Sequence, residues 1–226
     1  MHKINIKEKY NMQSLKNKYK YLIFDFDGTI NNTAPGIYAT FKAVLDTYGV
    51  DYSNVDFDDH IGPPLDFSYT ELVGAEHCQE AIAKHVKVFA ETNAAQNSFL
   101  YEGIVDTLTK LKQAGYVISI ASSKYQPHAI ESLAYHKIGH FFDHVYGQTE
   151  KRGFKAEVLR QLIADNGWDK SQCLMIGDTF HDMQGALDNG IDGMAVTYGF
   201  GKLKDLLQAK PIAVVHSTKE IADILL

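Results

Sequence analysis

Residues 19–29, YKYLIFDFDGT, constrain the fold more than any other stretch, because an apolar run ends abruptly in two carboxylates and a glycine. Tyr21, Leu22, Ile23 and Phe24 form a continuous apolar block, the pattern of a strand covered on both faces of a parallel sheet. Asp25 and Asp27 follow at i and i+2, which keeps both side chains on one side of an extended backbone. Gly28 then permits a turn that other residues resist. Open parallel sheets bind ligands beyond the carboxyl ends of their strands, so the two aspartates stand where a substrate would arrive. A D-x-D-G opening also begins calcium loops, but those need an oxygen ligand and then glycine at places held here by Thr29 and Ile30. Two aspartates at a strand end can also be ordinary turn formers; the rest of the chain decides against that reading.

The 226 residues suffice for one large domain, or a domain with an insert, around a substantial core. Hydrophobic residues make up 45% and charged residues 22%, near soluble averages, and no apolar run is long enough to cross a membrane. The formal charge of −6 argues against nucleic acid as the main partner. Cys78 and Cys173 are far apart and lack metal-ligand spacing, which fits a reduced, cytoplasmic compartment. Residues 1–18 read as a basic, solvated tail: Lys3, Lys7, Lys9, Lys16 and Lys18 face only Glu8, without the apolar middle of a secretory signal. Met12 is an alternative start that the sequence does not decide.

Ile37, Phe41, Val44, Leu45 and Tyr48 recur at helical spacing and stop at Gly49. Residues 51–66 are polar and close with Gly62-Pro63-Pro64, a loop with at most a helical turn; a second amphipathic helix carries Ile82, Val86 and Phe89. Residues 33–98 thus read as a helical cap inserted after the first strand, between core segments 19–32 and 99–226, with Pro35-Gly36 and Gly103 expected to bound its hinges. From Gly103 onwards helices and strands alternate. Helices are predicted over 103–114, 126–136, 155–166 and 180–189, and strands at 116–121, 144–147, 172–177, 193–199 and 212–215. Ser217 and Glu220 form a capping-box spacing before the last helix. The alternation predicts an α/β fold, a doubly wound and mostly parallel Rossmann-like sheet with an inserted helical cap.

Three of these strands end in polar groups: Asp25 and Asp27 after the first, Ser122 and Ser123 after ISIA, and Asp178 with Asp182 after LMIG. A parallel sheet brings all three endings to one edge, beside Lys155 at the start of a helix. Two unit charges about 4 Å apart interact by roughly 4 kcal/mol at an effective dielectric of about 20, so several carboxylates in one cleft call for a cation. Hard oxygen donors without clustered cysteine or histidine favour Mg²⁺ over zinc or copper. The lysine and hydroxyl suit an additional anion, phosphate above all.

These motifs resemble those of the haloacid dehalogenase superfamily, and specifically its phosphoglycolate phosphatase-like branch. DFDGT matches the first family motif, Ser122 the second, Lys155 the third and GDTFHD at 177–182 the fourth, a likeness that extends from Tyr19 to the C-terminus. The resemblance implies a Mg²⁺-dependent phosphatase acting on a small phosphorylated metabolite. By that likeness Asp25 is the nucleophile, and Asp27 is the acid and then the base. Asp25, the backbone carbonyl of Asp27 and Asp178 are metal ligands, with Asp182 supporting the metal waters or Lys155. Ser122, the N–H of Ser123 and Lys155 bind the phosphoryl group; which serine makes the main contact stays open. Asn32 replaces a common aspartate, and Lys155-Ala156 replaces a frequent Lys-Pro. Alternatives are a phosphomutase resembling beta-phosphoglucomutase, a nucleotidase within the same fold, or a non-catalytic binding protein. Neither a nucleic-acid nor a membrane partner is expected, and the oligomeric state is unknown from sequence.

Other features read as structural. His136, His140 and His144 are spaced by four, but Gly139 interrupts the helix that would align them for metal. His181 reads as a packing or surface group, and GFG at 199–201 lacks the third glycine of a dinucleotide fingerprint. The loop from His60 to Leu65 is either a turn or the part of the cap that touches the leaving group.

Overall fold

The computed structural model describes residues 15–150 and 152–226. Strand β1 (Tyr21–Phe24) is followed by β2 (Asn31–Asn32) and helices α1 (Ala34–Asp46), α2 (Leu65–Val73) and α3 (Cys78–Glu91). Strand β3 (Phe99–Leu100) leads to α4 (Ile104–Gln113), β4 (Val117–Tyr125), α5 (Gln126–Tyr135), β5 (His144–Gln148) and α6 (Lys155–Asn166). The chain closes with β6 (Cys173–Gly177), α7 (Phe180–Asn189), β7 (Asp192–Val196), α8 (Leu203–Leu206), β8 (Ala213–Val215) and α9 (Thr218–Leu225).

Six strands form one sheet in the order β5-β4-β1-β6-β7-β8, and every pairing in it is parallel. Side-chain alternation explains why its strands are apolar throughout. Leu22 and Phe24 of β1 pack on one face with Leu174 and Ile176 of β6, against Ile104, Leu108 and Leu111 of α4. Ile23 and Met175 point the other way, into Val158, Leu159 and Leu162 of α6. A strand with helices on both faces has no side left for water, which is what the continuous YLIF block requires.

Residues 33–98 carry their own apolar cluster, with Phe41, Val44, Leu45, Phe57 and Tyr69 buried in it. The sequence pattern misses α2 here. Pro64 precedes its first residue, Leu65 and Tyr69 turn inward, and Gly74 at φ +88° ends it, so a segment expected to hold one helix after the loop holds two. The Pro35-Gly36 hinge is also displaced. Both residues lie in the first turn of α1, where a Cβ on Gly36 would stand 2.1 Å from the Ala94 carbonyl oxygen. The chain instead leaves and re-enters the sheet region through the antiparallel pair β2 and β3, with Asn31 opposite Leu100 and Asn32 opposite Phe99. His136 serves this crossing: its Nε2 lies 3.0 Å from Ser98 Oγ and 3.2 Å from Asn31 Nδ2.

Strand β4 outruns its expected end at Ala121, passing through Ser122 and Ser123 to Tyr125 after a register shift. Ser217 accepts the Glu220 N–H as the cap of α9. Both cysteines are free and buried, and among the described residues no helix is long and apolar enough to cross a membrane. Of the expected tail, residues 1–14, and with them Met12, lie outside the described residues. Leu15 is 6% exposed within the main core, and Lys18 meets Asp192 at 2.6 Å. Leu15→Ala should therefore lower unfolding free energy by about 2–3 kcal/mol, read by urea denaturation, as a buried leucine truncation does; no change would mean that Leu15 contributes no core packing.

Candidate active site

Because β1 pairs with β4 on one side and β6 on the other, Phe24 lies level with both Ile120 and Ile176. The residues just beyond them therefore meet. The Asp25 N–H donates to the Ile176 carbonyl at 2.9 Å and carries its side chain into a buried cluster with Asp178 and Asp182, whose carboxylate oxygens lie within 4.8 Å of one another. Asp25 is 5% exposed, and Asp178 and Asp182 are fully buried.

Lys155 is the first residue of α6, whose start is fixed by Glu157 Oε2 accepting the Gly153 and Phe154 N–H groups. Its ammonium lies 2.6 Å from Asp25 Oδ1 and 2.8 Å from Asp182 Oδ1, and donates to the Ala121 carbonyl at 2.8 Å. Ala156, where proline is frequent, leaves this placement intact. Asp182 Oδ2 accepts both the N–H and the hydroxyl of Thr179, at 2.9 and 2.8 Å, as part of the α7 cap. Asp178 accepts from the Thr29 hydroxyl at 2.9 Å and the Phe200 N–H at 2.8 Å.

Two close approaches make this arrangement possible. Gly28 sits at φ +82°, and a Cβ there would stand 2.1 Å from Asp178 Oδ2; at Gly199 a Cβ would meet the same oxygen at 2.4 Å. The GFG stretch set aside in the sequence is thus packed against Asp178. Phe200 and Gly199 were missed because a backbone donor and a missing Cβ leave no chemical signature in a sequence, and Thr29 was read only as part of the DFDGT motif. Lys124 was also missed. Its ammonium lies 3.2 Å and 3.4 Å from the two oxygens of Asp27, and its position directly after Ser122 and Ser123 was the available signal.

Asp25, Asp27, Ser122, Ser123 and Lys124 line one cleft of about 760 Å³, roofed by residues of the helical segment that include the loop from His60 to Leu65. Ser122 is buried and its Oγ accepts the Lys124 N–H at 3.2 Å, while Ser123 is partly open. The structure does not bring His140 or His144 to this cleft. His181, whose imidazole is lowered by burial, stands beside Phe180, and its residue lines a shallow neighbouring recess.

The electrostatics are unbalanced. Burial, and next the charge of Asp182, push Asp25 up to about 7, with Lys155 opposing them. Burial, then Asp182 and Asp25, also raise Asp178 well above the usual carboxylate range. Burial alone would lower Lys155, but Asp182 and Asp25 reverse this and raise it, so the ammonium stays charged. Lys155 pairs with Asp25 and Asp182, and among the described residues Asp178 forms no ion pair. Neither Asp25 Oδ1 nor Asp182 Oδ1 has an aligned hydrogen-bond donor, and Asp178 retains free lone pairs, so the oxygen set fits a hard divalent cation. Among the described residues this is the one acidic or histidine cluster able to hold a metal.

The protonation has a measurable sign. In the metal-free protein Asp25 keeps its proton up to about pH 7, whereas an unfolded aspartate loses it near pH 4. The folded state binds more protons between those values, so this group lowers stability as pH rises through the window. A divalent cation held by this cluster would need its ionised form, so added Mg²⁺ should raise the melting temperature more at pH 8 than at pH 5. Equal shifts at the two pH values would contradict a site built on Asp25.

The family model described as haloacid dehalogenase-like hydrolase matches residues 22–196. The tyrosine-protein kinase PtkA of Mycobacterium tuberculosis is 31% identical over 199 residues, covering 87% of this chain and 68% of that protein. A 5'-nucleotidase of Pseudomonas aeruginosa is also 31% identical over 199 residues, covering 86% of this chain and 90% of the relative. A haloacid dehalogenase-like family hydrolase from Streptococcus pneumoniae superposes with a TM-score of 0.87 at 28% identity, over 91% of this chain and 98% of its own.

Proposed function

The chain belongs to the haloacid dehalogenase-like hydrolase family, and on that premise we propose that it is a cytoplasmic phosphatase that hydrolyses a small phosphomonoester through an aspartyl phosphate. The observation that carries this reading is the contact of Lys155 with both Asp25 and Asp182 beside the cleft, with Asp27 two residues from Asp25 on the same wall. The relative named a 5'-nucleotidase supports it.

A carboxylate oxygen of Asp25 attacks phosphorus, and the bond from phosphorus to the ester oxygen breaks as the Asp27 carboxyl donates its proton to that oxygen. Asp27, now ionised, takes a proton from water as the water attacks the aspartyl phosphate, releasing phosphate and restoring Asp25. Lys124 is within reach of Asp27 and holds it toward the cleft. Lys155, the Ser122 hydroxyl and the Ser123 N–H bind the phosphoryl oxygens, where charge accumulates during transfer.

Asp25, Asp178 and the backbone carbonyl of Asp27 would hold Mg²⁺, which supplies positive charge to the phosphoryl group when bound. Asp182 has one oxygen committed to Thr179 and the other beside Lys155, so it acts as their support. Residues 33–98 act as the cap that covers the cleft and excludes water from the transfer.

Asp25→Asn removes the attacking oxygen with almost no change in volume. It should lower kcat for phosphate release by at least about 10³-fold while the circular dichroism spectrum stays unchanged. Chelation of the wild type should stop turnover and Mg²⁺ should restore it. Undiminished release by the Asp25 variant would remove the proposed nucleophile. Isomerised phosphoester without free phosphate would instead indicate a mutase.

A further inference from the structure

Beyond its catalytic end, the cleft is apolar. Ile37 and Phe41 of α1, Ile82, Val86 and Phe89 of α3, and Phe154 before α6 line it. Three rings run nearly parallel along this wall: His85 on Phe89 at 6.1 Å and 12°, then Phe89 on His128 at 5.5 Å and 23°. Burial, with Lys124 and His128 adding to it, pushes His85 down to about 4, so a neutral ring enters the wall. Phe154 is 62% exposed and Val86 50% exposed, yet both face the cleft, leaving apolar surface that a bound ligand would cover.

The charges point the same way. Lys124 is the lysine of this lining, and its side chain is 8% exposed, held between Asp27 at 3.2 Å and the Phe89 ring at 5.3 Å. The only arginines in the sequence, Arg152 and Arg160, are not in the lining, and Arg152 is held by Gln126 at 2.7 Å. Asp66 adds a negative charge at the exposed lip. A cleft of about 760 Å³ takes a ligand of drug-like size.

We infer that the leaving group is an uncharged alcohol bearing an aromatic ring, seated against Phe89 and Phe154, and that esters carrying a second anionic group are poor substrates. The inference rests on the phosphatase reading and narrows its substrate class. An aryl group packs on Phe154, Val86 and the edge of the ring wall and covers open apolar surface, whereas a carboxylate would meet Asp66 and find Lys124 already engaged.

The test uses the full-length enzyme with Mg²⁺ and three primary alkyl phosphates: 2-phenylethyl, n-propyl and 2-carboxyethyl phosphate. Phosphate release should give kcat/KM highest for the phenylethyl ester, at least about tenfold above propyl, with carboxyethyl lowest, a range that apolar pocket contacts supply. Phe89→Ala should collapse the phenylethyl-to-propyl ratio, chiefly through KM. Phe154→Ala, at an exposed position that folding does not depend on, should lower the same ratio by several-fold. A carboxyethyl ester that matches or exceeds the propyl ester, or a ratio that survives both substitutions, would overturn the inference while leaving the phosphatase reading standing. Absence of release from all three esters would overturn both.

Discussion

Three carboxylates buried together, with one ammonium that pairs with two of them, form the constraint on which the site depends. Pairwise repulsion at about 4 Å is roughly 4 kcal/mol at an effective dielectric of about 20, a sizeable share of a domain's net stability of about 5–15 kcal/mol. The protein distributes that cost among specific partners. Asp182 is held by Thr179 and Lys155, and Asp178 by Thr29 and the Phe200 N–H. Asp25 meets Lys155 off the hydrogen-bonding axis and keeps an unmatched oxygen. The least compensated carboxylate is therefore the one that lines the cleft, where a bound cation would bring the missing positive charge.

Strand order makes this geometry inexpensive. β1 lies between β4 and β6, so the chain diverges to either side of it and leaves a crevice at its carboxyl end. Parallel register then aligns Asp25 with the Ala121 carbonyl of β4 and the Gly177-Asp178 turn after β6. Lys155 reaches Asp25 and the Ala121 carbonyl, and Asp182 of α7, from the start of α6, on the face buried by Ile23 and Met175. No long loop has to be ordered to assemble the charges, because the sheet has already fixed the positions of the backbones that carry them.

The sheet and the acidic residues were legible because they leave periodic or titratable signatures. The apolar blocks before Asp25, Ser122 and Asp178 report burial on both faces, and the order of helices and strands reports parallel pairing. What escaped has a physical reason in each case. β2 and β3 are two residues each and owe their pairing to the chain crossing rather than to propensity. α2 follows two prolines, which read as a loop until the inward spacing of Leu65 and Tyr69 is weighed against them. Gly199 and Phe200 act through a missing Cβ and a main-chain N–H, so no side-chain pattern marks them. The basic side chains at the N-terminus suggested a solvated segment through residue 18, yet Leu15 is buried and Lys18 is paired, since local charge says little about where an isolated apolar residue lands.

Phe200 joins the two halves of the site. Its N–H orients Asp178, while its ring packs with Ala34 and Ile61 of the helical segment. Around that contact the segment meets the core through exposed ion pairs, Lys202 to Asp59 at 2.5 Å and to Asp56 at 3.6 Å, each worth about 0–1 kcal/mol in water. The segment also meets the core where Phe89 stacks on His128 at 5.5 Å and Ser98 Oγ lies 3.0 Å from His136 Nε2, whereas the Lys155 network lies buried beneath. The apolar wall of the cleft belongs largely to the helical segment, and the buried carboxylates belong to the sheet edge. Phe200 thus spans both parts, with its ring against Ala34 and Ile61 and its N–H on Asp178.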